Sequence, residues 1–274
     1  MSKFPSSFLE KNRLFEVLYQ SLPGAIRKAD LYGEMTDYLE KYIRDNHLSE
    51  DDIDLIYRRF ITNYNFCSKK FLAEGKYPHE LGIDVHHPNR IEYDVILMLS
   101  TILNSHRFRI MEIISEVDWS DHALFVGVGS GLELHLRNGK HREIQAFDIS
   151  INPHLIMNLP KVKFSESYYS NHFNVYFDAV FLIEILEHLS DPWSLIDIAA
   201  KSCKIGGQIY LTTATNIPQF DHLFNFPEDH SEFEKYIKSR GFEIQNKEKI
   251  NHRHLTINLQ SSNHFYIIKK LRNY

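Results

Sequence analysis

The sequence predicts an α/β protein in which a helical N-terminal region precedes a largely parallel sheet that ends in an antiparallel strand pair. Before residue 118, apolar residues recur at steps of three and four, which is the period of a helix with one buried face. After residue 118, short apolar runs alternate with helical stretches, which is typical of a parallel sheet with covering helices. A glycine-rich segment directly follows the first of these runs.

The helical region is predicted to span residues 1–117. Ser49 and Asp52 have the spacing of a capping box, and apolar residues at helical steps follow them. A loop is predicted around Pro78 and Pro88, because proline interrupts helices. The predicted helices are 53–71, 90–104 and 109–117, with two more within residues 6–45 that are broken near Pro23.

The second region is predicted to span residues 118–274 and to form the sheet. Its predicted parallel strands are 123–126, 143–147, 162–164, 178–182 and 208–212. The helices predicted among and after them are 131–137, 152–159, 192–201 and 231–239. Residues 242–249 and 264–269 resemble strands with no clear helix between them, so we expect an antiparallel pair at one edge of the sheet.

Composition and charge restrict the class of protein. The 274 residues carry a net charge of -5, which does not favour nucleic acid as a partner. The longest apolar runs contain a charge or stop far short of a membrane span, and the N-terminus lacks the apolar stretch of a signal peptide. Cys67 and Cys203 are far apart, which excludes a disulfide framework and a CxxC metal site. We therefore expect a cytoplasmic protein with no membrane partner.

The glycine-rich segment is the sharpest local signal. Gly127, Gly129 and Gly131 permit a tight turn and a close approach of the backbone to a ligand, beside the free N–H groups of a helix N-terminus. Asp148 ends the next predicted strand, where an acidic side chain can accept hydrogen bonds from the ribose of an adenosine. A dinucleotide fingerprint needs a small residue at position 132, and Leu132 occupies it.

Three later motifs occur in a fixed order after this segment. Phe177-Asp178 leads through an apolar strand to Glu184-Ile185-Leu186-Glu187-His188, Lys204-Ile205-Gly206-Gly207 precedes another strand, and Arg240-Gly241-Phe242 precedes the last pair. Together with the glycine segment, they resemble the class I S-adenosylmethionine (SAM)-dependent methyltransferases over about residues 120–270. The resemblance implies a Rossmann-like methyltransferase sheet, SAM as the cofactor and methyl transfer as the activity.

The resemblance also implies roles for individual residues. The glycine segment would admit the methionine part of SAM, Asp148 would hold the ribose, and the backbone near Ile183 would face the sulfonium. The implied cofactor-binding residues are Gly127, Val128, Gly129, Gly131, Asp148, Ile149, Ser165, Glu166 and Ile183. The family usually has an acid where this chain has Phe125, and that acid helps to hold the methionine ammonium. This contact must therefore come from elsewhere.

The segment after the fourth strand has three interpretations. Glu184 or His188 is a general base for the acceptor, which makes them the predicted catalytic residues. Alternatively, Glu184, Glu187, His188 and a remote His230 hold a divalent cation, as in the small-RNA 2′-O-methyltransferases, which this pattern resembles. In the third interpretation the segment is ordinary family sequence, with His188 bonded to the backbone and Glu187 solvated. We expect no metal.

The helical region is expected to cover the cofactor site and to select the acceptor. His86, Arg90 and Tyr93 are predicted to line the acceptor pocket, with a solvated loop and helix cap as the alternative; residues 217–225 could form a second wall. We expect methylation of oxygen or nitrogen on a small molecule or short peptide. The alternatives are a metal-dependent RNA 2′-O-methyltransferase and a non-catalytic binding protein, which Phe125 alone favours. The acceptor and the oligomeric state stay open.

Overall fold

A computed structural model describes residues 13–84, 86–118, 120–170, 176–254 and 257–273. Its centre is a seven-stranded sheet of order β3-β2-β1-β4-β5-β7-β6. The strands are β1 Ser120–Val126, β2 His141–Asp148, β3 Val162–Glu166, β4 Phe177–Leu182, β5 Cys203–Thr215, β6 Phe242–Asn251 and β7 Ser262–Lys270. Strand β7 pairs antiparallel with β5 and with β6, whereas the other neighbours are parallel. The predicted sheet and its antiparallel C-terminal pair are therefore confirmed.

Helices connect the strands in the second region as the alternation predicts. They are α7 Leu132–Arg137, α8 Pro153–Asn158, α9 Pro192–Ser202 and α10 Ser231–Ser239, and a 3₁₀ turn spans Leu186–His188. Strand β5 begins earlier than the predicted residue 208, because Cys203 already pairs with Phe177 of β4 before a register shift. Because β1, β2 and β4 are parallel neighbours, their carboxyl ends lie at the same edge of the sheet. Folds of this kind bind ligands at that edge.

The N-terminal helices are α1 Arg13–Ser21, α2 Gly24–Lys28, α3 Asp30–Asp45, α4 Glu50–Glu74, α5 Arg90–Leu103 and α6 Ser105–Ser115. The predicted capping box exists: Ser49 N donates to Asp52 Oδ2 at 2.9 Å and Asp52 N to Ser49 Oγ at 3.1 Å. The prediction of two helices within residues 6–45 was wrong for the described part, because extended backbone at Ala29 adds a second break. Helix α6 begins at Ser105 rather than Arg109, directly after the extended residue Asn104.

Two apolar cores lie on opposite faces of the sheet. One joins the N-terminal helices to the sheet through residues such as Met35, Met98 and Phe125, and the other packs α9 and α10 on the opposite face. The ring of Phe125 stacks on Phe181 with 4.2 Å between centroids. Packing on the face that carries the N-terminal helices holds α5 over the edge of the sheet where β1, β2 and β4 end. A domain boundary at residue 117 stays a prediction.

Within the described ranges, no helix combines the length and the apolar character that crossing a bilayer requires.

Candidate active site

A cavity of about 470 Å³ lies at the carboxyl ends of β1, β2 and β4, beneath α5. Six of the nine predicted cofactor-binding residues line it: Gly127, Val128, Gly129, Asp148, Ile149 and Ile183. Both predicted catalytic residues, Glu184 and His188, also line it. The remaining wall includes Arg90, Tyr93, Leu97, Arg107, Glu133 and Asp221. The structure thus brings most of the sequence-predicted residues to one site.

Glycine is required at the loop by both conformation and space. Gly127 and Gly129 have φ values of 75° and 48°, in the left-handed region that other residues rarely adopt. A Cβ on Gly129 would lie 2.9 Å from Leu97 Cδ1, so α5 closes directly over the loop. Gly131 caps α7, and a Cβ there would overlap the Leu155 side chain. Its role in the structure is therefore packing, and it does not line the cavity.

Asp148 braces the loop. Its Oδ2 accepts hydrogen bonds from Val128 N at 2.8 Å and Gly129 N at 3.0 Å, and its Oδ1 accepts one from Ser150 N at 3.1 Å. Because a carboxylate oxygen accepts more than one hydrogen bond, the side chain retains capacity for ribose hydroxyls. Ser165 and Glu166 do not line the cavity, and Glu166 instead accepts a hydrogen bond from Ile151 N at 2.9 Å.

Arg90 lies on the cofactor side of the cavity. Its guanidinium donates to the Gly129 carbonyl and lies 3.8 Å from Asp148 Oδ1, and its Nε lies 3.1 Å from Asp94 Oδ1. Asp94 is fully buried and also accepts from Tyr42 Oη at 2.8 Å. Burial raises the pKa of Asp94, although Arg90 opposes this effect. Arg90 therefore ties a buried carboxylate to the glycine loop.

The other two predicted acceptor residues lie in different places. Tyr93 lines the cavity and donates from its hydroxyl to Asp221 Oδ2 at 3.0 Å. His86 lies outside the cavity with 46% of its side chain exposed, and its Nε2 is 3.0 Å from Glu92 Oε2. The structure therefore brings Tyr93, but not His86, to the site.

Glu184 follows β4 in a strained conformation with φ of 51°. Its amide donates to Thr212 Oγ1 at 2.6 Å. Its carboxylate is held on both sides, because Oε1 accepts from Asn263 Nδ2 at 2.8 Å and Oε2 lies 3.3 Å from the Arg107 guanidinium. Strain in a non-glycine residue is characteristic of functional sites. These two contacts hold the Glu184 carboxylate in position and pair it with the Arg107 cation.

His188 is oriented by Asp221. Its Nδ1 lies 3.1 Å from the Asp221 carbonyl and 3.5 Å from Asp221 Oδ2. Burial alone would lower the pKa of His188, but the carboxylates of Asp221 and Glu187 outweigh it and raise the pKa. Gln219 Nε2 donates to Asp221 Oδ1 at 2.8 Å and, with Tyr93, fixes the carboxylate. This leaves His188 Nε2 as the ring nitrogen available to a ligand.

Glu187 is fully buried, which overturns the interpretation that it is solvated. Burial, and then the charge of Glu184, raise its pKa to about 7. The ring of His222 meets His188 edge-on at 4.8 Å between centroids, and burial lowers the pKa of His222 to about 3. His230 is elsewhere, with its Nδ1 2.7 Å from Tyr266 Oη. The structure therefore joins His222, and not His230, to Glu187 and His188.

Sequence reasoning missed three charged residues of the cavity wall: Arg107, Glu133 and Asp221. Asp221 lies within the segment 217–225 that was expected to form a second wall, so its neighbourhood was detectable. Glu133 follows the glycine segment by two residues, so its place was also detectable, whereas Arg107 stands in a helix without a motif and reaches the site through packing. Burial raises the pKa of Glu133 to about 7.

Comparisons with known proteins agree with this architecture. No family model matches the chain. A ubiquinone biosynthesis O-methyltransferase of Dechloromonas aromatica is 32% identical over 125 residues, which cover 39% of this chain and 53% of that protein. The chain thus spans about half the length of this curated relative.

Two solved structures share the fold. The N-methyltransferase NodS of Bradyrhizobium japonicum, solved with S-adenosylhomocysteine, has a TM-score of 0.50 at 12% identity, covering 62% of this chain and 89% of its own. The YcgJ protein of Bacillus subtilis also has a TM-score of 0.50 at 12% identity, covering 61% of this chain and 100% of its own. At such identity the likeness establishes the fold, and it confirms the predicted Rossmann-like architecture.

Proposed function

We propose that this chain, which has the class I SAM-dependent methyltransferase fold, transfers a methyl group from SAM to an oxygen or nitrogen of a small molecule or short peptide. The observation that carries the proposal is the cavity at the carboxyl ends of β1, β2 and β4, where Asp148 braces a glycine loop. The name of the curated relative, an O-methyltransferase, favours oxygen as the acceptor atom. The bound S-adenosylhomocysteine of NodS favours SAM as the donor.

The cofactor would lie along the glycine loop. Gly127 and Gly129 would admit its methionine part, and Asp148 would bind its ribose. Phe125 is packed in the core and supplies no charge, so the zwitterionic methionine end needs other partners. Arg107 and Glu133 line the cavity with opposite charges, and charge-assisted hydrogen bonds to a carboxylate and an ammonium are strong. We assign the two ends of the amino acid to them. The roles of Gly131, Ile149, Ser165, Glu166 and Ile183 stay predictions.

Methyl transfer needs orientation, exclusion of water and, for a hydroxyl, a proton acceptor. Of the two predicted catalytic residues, His188 fits the last role better, because Asp221 orients its ring and leaves Nε2 available. This is the arrangement of a general base held by a third group. Glu184 instead positions Arg107. The acceptor would approach from the side of Tyr93 and residues 217–225.

The alternative functions find less support. The cation set of the RNA 2′-O-methyltransferase interpretation is not assembled, since His230 bonds Tyr266. The non-catalytic interpretation depended on Phe125, whose ring completes the apolar core on Phe181. We keep a cytoplasmic location as part of the proposal, without assigning an oligomeric state.

Calorimetric titration of the purified chain with SAM and with S-adenosylhomocysteine tests the proposal. We expect a dissociation constant in the micromolar range, because enzymes commonly have KM values of this order for their substrates. Gly129→Arg should abolish it by filling the cavity. Gly24→Arg is the matched control, since Gly24 is exposed with open space around its Cβ position. Binding of neither ligand to the folded protein would overturn the proposal.

A further inference from the structure

Glu187, His188 and His222 lie close together beside the cavity. One potential metal-ligand atom from each lies within 4.8 Å of the other two. His188 also lines the cofactor cavity, and His222 lines a smaller adjoining cavity of about 90 Å³. His188 and His222 therefore place the cluster beside both cavities.

The side chains of Glu187 and His222 are buried without hydrogen bonds from the described residues to their polar atoms. Among the described residues, neither carboxylate oxygen of Glu187 and neither ring nitrogen of His222 has a partner at full hydrogen-bond geometry. Glu187 is 0% exposed and His222 is 2% exposed. Buried polar groups in folded proteins are nearly always hydrogen-bonded, and burying an unpaired charge is costly unless it is paired or coordinates a metal. Four orphaned atoms at one point therefore indicate a missing ligand.

The local charge favours a cation. The carboxylates of Glu184, Glu187 and Asp221 all act on His188, and Arg107 is the guanidinium that acts on Glu187 and His222. Glu184 and Arg107 offset each other as an ion pair. Glu187 and Asp221 are the remaining carboxyl groups, and both stabilise a positive charge at His188, so a divalent ion beside these groups would meet the same favourable potential.

The backbone holds the three side chains in place. The Glu187 carbonyl accepts hydrogen bonds from Leu223 N at 2.7 Å and Phe224 N at 3.0 Å, which fixes the loop that carries His222. His79 Nδ1 lies 3.1 Å from the His222 carbonyl on the other side of that loop. Asp221 holds Nδ1 of His188, and metal-binding histidines are commonly held in this way by a carboxylate behind them. The cluster is therefore organised before any ion binds.

We propose that Glu187, His188 and His222 bind one divalent first-row transition-metal ion. Two imidazoles and one carboxylate suit Zn²⁺, Co²⁺ or Mn²⁺, whereas Mg²⁺ and Ca²⁺ prefer oxygen ligands. The set differs from the one that the sequence pattern suggested, because His222 replaces His230. The inference does not depend on methyl transfer. If the proposed function holds as well, the ion would polarise an acceptor oxygen, and His188 would be its ligand instead of a base.

Metal titration of the full chain, stripped of metal and free of SAM, tests the site. Zn²⁺ affinity is measured by competition with a chromophoric chelator, and the visible absorption of added Co²⁺ reports ligation. We expect one ion per chain, with Zn²⁺ bound more tightly than Mn²⁺ and no binding of Mg²⁺ at matched concentration. Loss of a residue that only supports a metal ligand costs about 10–100-fold in affinity. Glu187→Gln and His222→Gln remove proposed ligands, so each should cost at least about tenfold.

His230→Gln is the matched control, since it removes another buried histidine outside the cluster. It should keep wild-type Zn²⁺ affinity. Absence of stoichiometric Zn²⁺ and Co²⁺ binding to the wild-type chain overturns the inference even if a variant fails to fold. Equal affinity of wild type and a folded Glu187→Gln variant would also overturn it. SAM binding without metal binding would leave the proposed function intact.

Discussion

The cofactor side and the acceptor side of the cavity are built in different ways. On the cofactor side, Asp148 bonds backbone amides of a loop only 19 and 20 residues away. On the acceptor side, side chains join distant segments, as Tyr93 does with Asp221 across 128 residues and Asn263 with Glu184 across 79. Val128 and Gly129 donate from their backbone, so these hydrogen bonds place no requirement of their own on the donor side chains. The construction on the acceptor side depends on each partner, and it is the part that can set specificity.

Arg90 lies on the cofactor side and gives the largest expected effect. Arg90→Ala leaves the buried Asp94 carboxylate without its cation, which should lower the free energy of unfolding by about 2–4 kcal/mol, because removing one partner of a buried ion pair is strongly destabilising. Denaturant unfolding measures it. The double variant Arg90→Ala/Asp94→Asn should recover much of the loss. A stable Arg90→Ala with an altered acceptor KM would return Arg90 to its predicted acceptor role.

Substitution of Asp148 tests the cofactor side of the cavity separately from the acceptor side. Asp148→Ala should weaken SAM binding by about 1–3 kcal/mol, since it strands the ribose hydroxyls and the two loop amides. Calorimetric titration measures the change. His87→Gln, an exposed change away from the loop, serves as the control and should bind normally. Unchanged SAM affinity in Asp148→Ala would remove Asp148 from the proposed site.

Buried histidines predict an acid-sensitive fold. Burial, and then the charge of Arg137, lower the pKa of His141 to about 4, while the unfolded value is about 6.5. Above pH 6.5 the residue is neutral in both states. As pH falls towards 4, only the unfolded chain binds the proton, so stability drops by up to about 1.4 kcal/mol per pH unit and then levels off.

Denaturant unfolding between pH 7.5 and 5 checks this dependence. His141→Gln keeps an acceptor for the Arg137 Nε, which now donates to His141 Nε2 at 3.0 Å, but it removes the titration. Its slope against pH should be shallower than that of the wild type. An identical slope would show that His141 does not remain neutral in the fold.

His86 gives the smallest expected effect. The residue is exposed and lies outside the cavity, so His86→Ala should change stability by less than about 0.5 kcal/mol and leave SAM affinity unchanged. Tyr93→Phe is the variant to compare with His86→Ala, because Tyr93 lines the cavity and its hydroxyl holds Asp221. A clear loss of acceptor turnover in His86→Ala would extend the acceptor site beyond the described cavity.

The fold was largely predictable because its signals are local. Periodic apolar residues, the Ser49 cap and the loop glycines act within a few residues. Most of the elements they predicted are present with shifted ends, whereas residues 13–45 form three helices instead of two. The boundaries at Ala29, Ser105 and Cys203 were missed. Ala29 carries no breaking residue type, Asn104 is the N-cap of α6 without a side-chain cap bond, and the early start of β5 depends on pairing with β4.

By itself, the sequence determined the order of the strands along the chain, the glycine loop with its acidic partner, and the presence of an anionic, histidine-bearing segment after β4. Only the tertiary structure decided which histidine joins that segment. His222 and His230 are chemically equal in sequence, but the Glu187 carbonyl binds the loop of the first and Tyr266 binds the ring of the second. Burial likewise depends on packing from several elements at once, so the uncompensated Glu187 carboxylate is visible only in the folded chain.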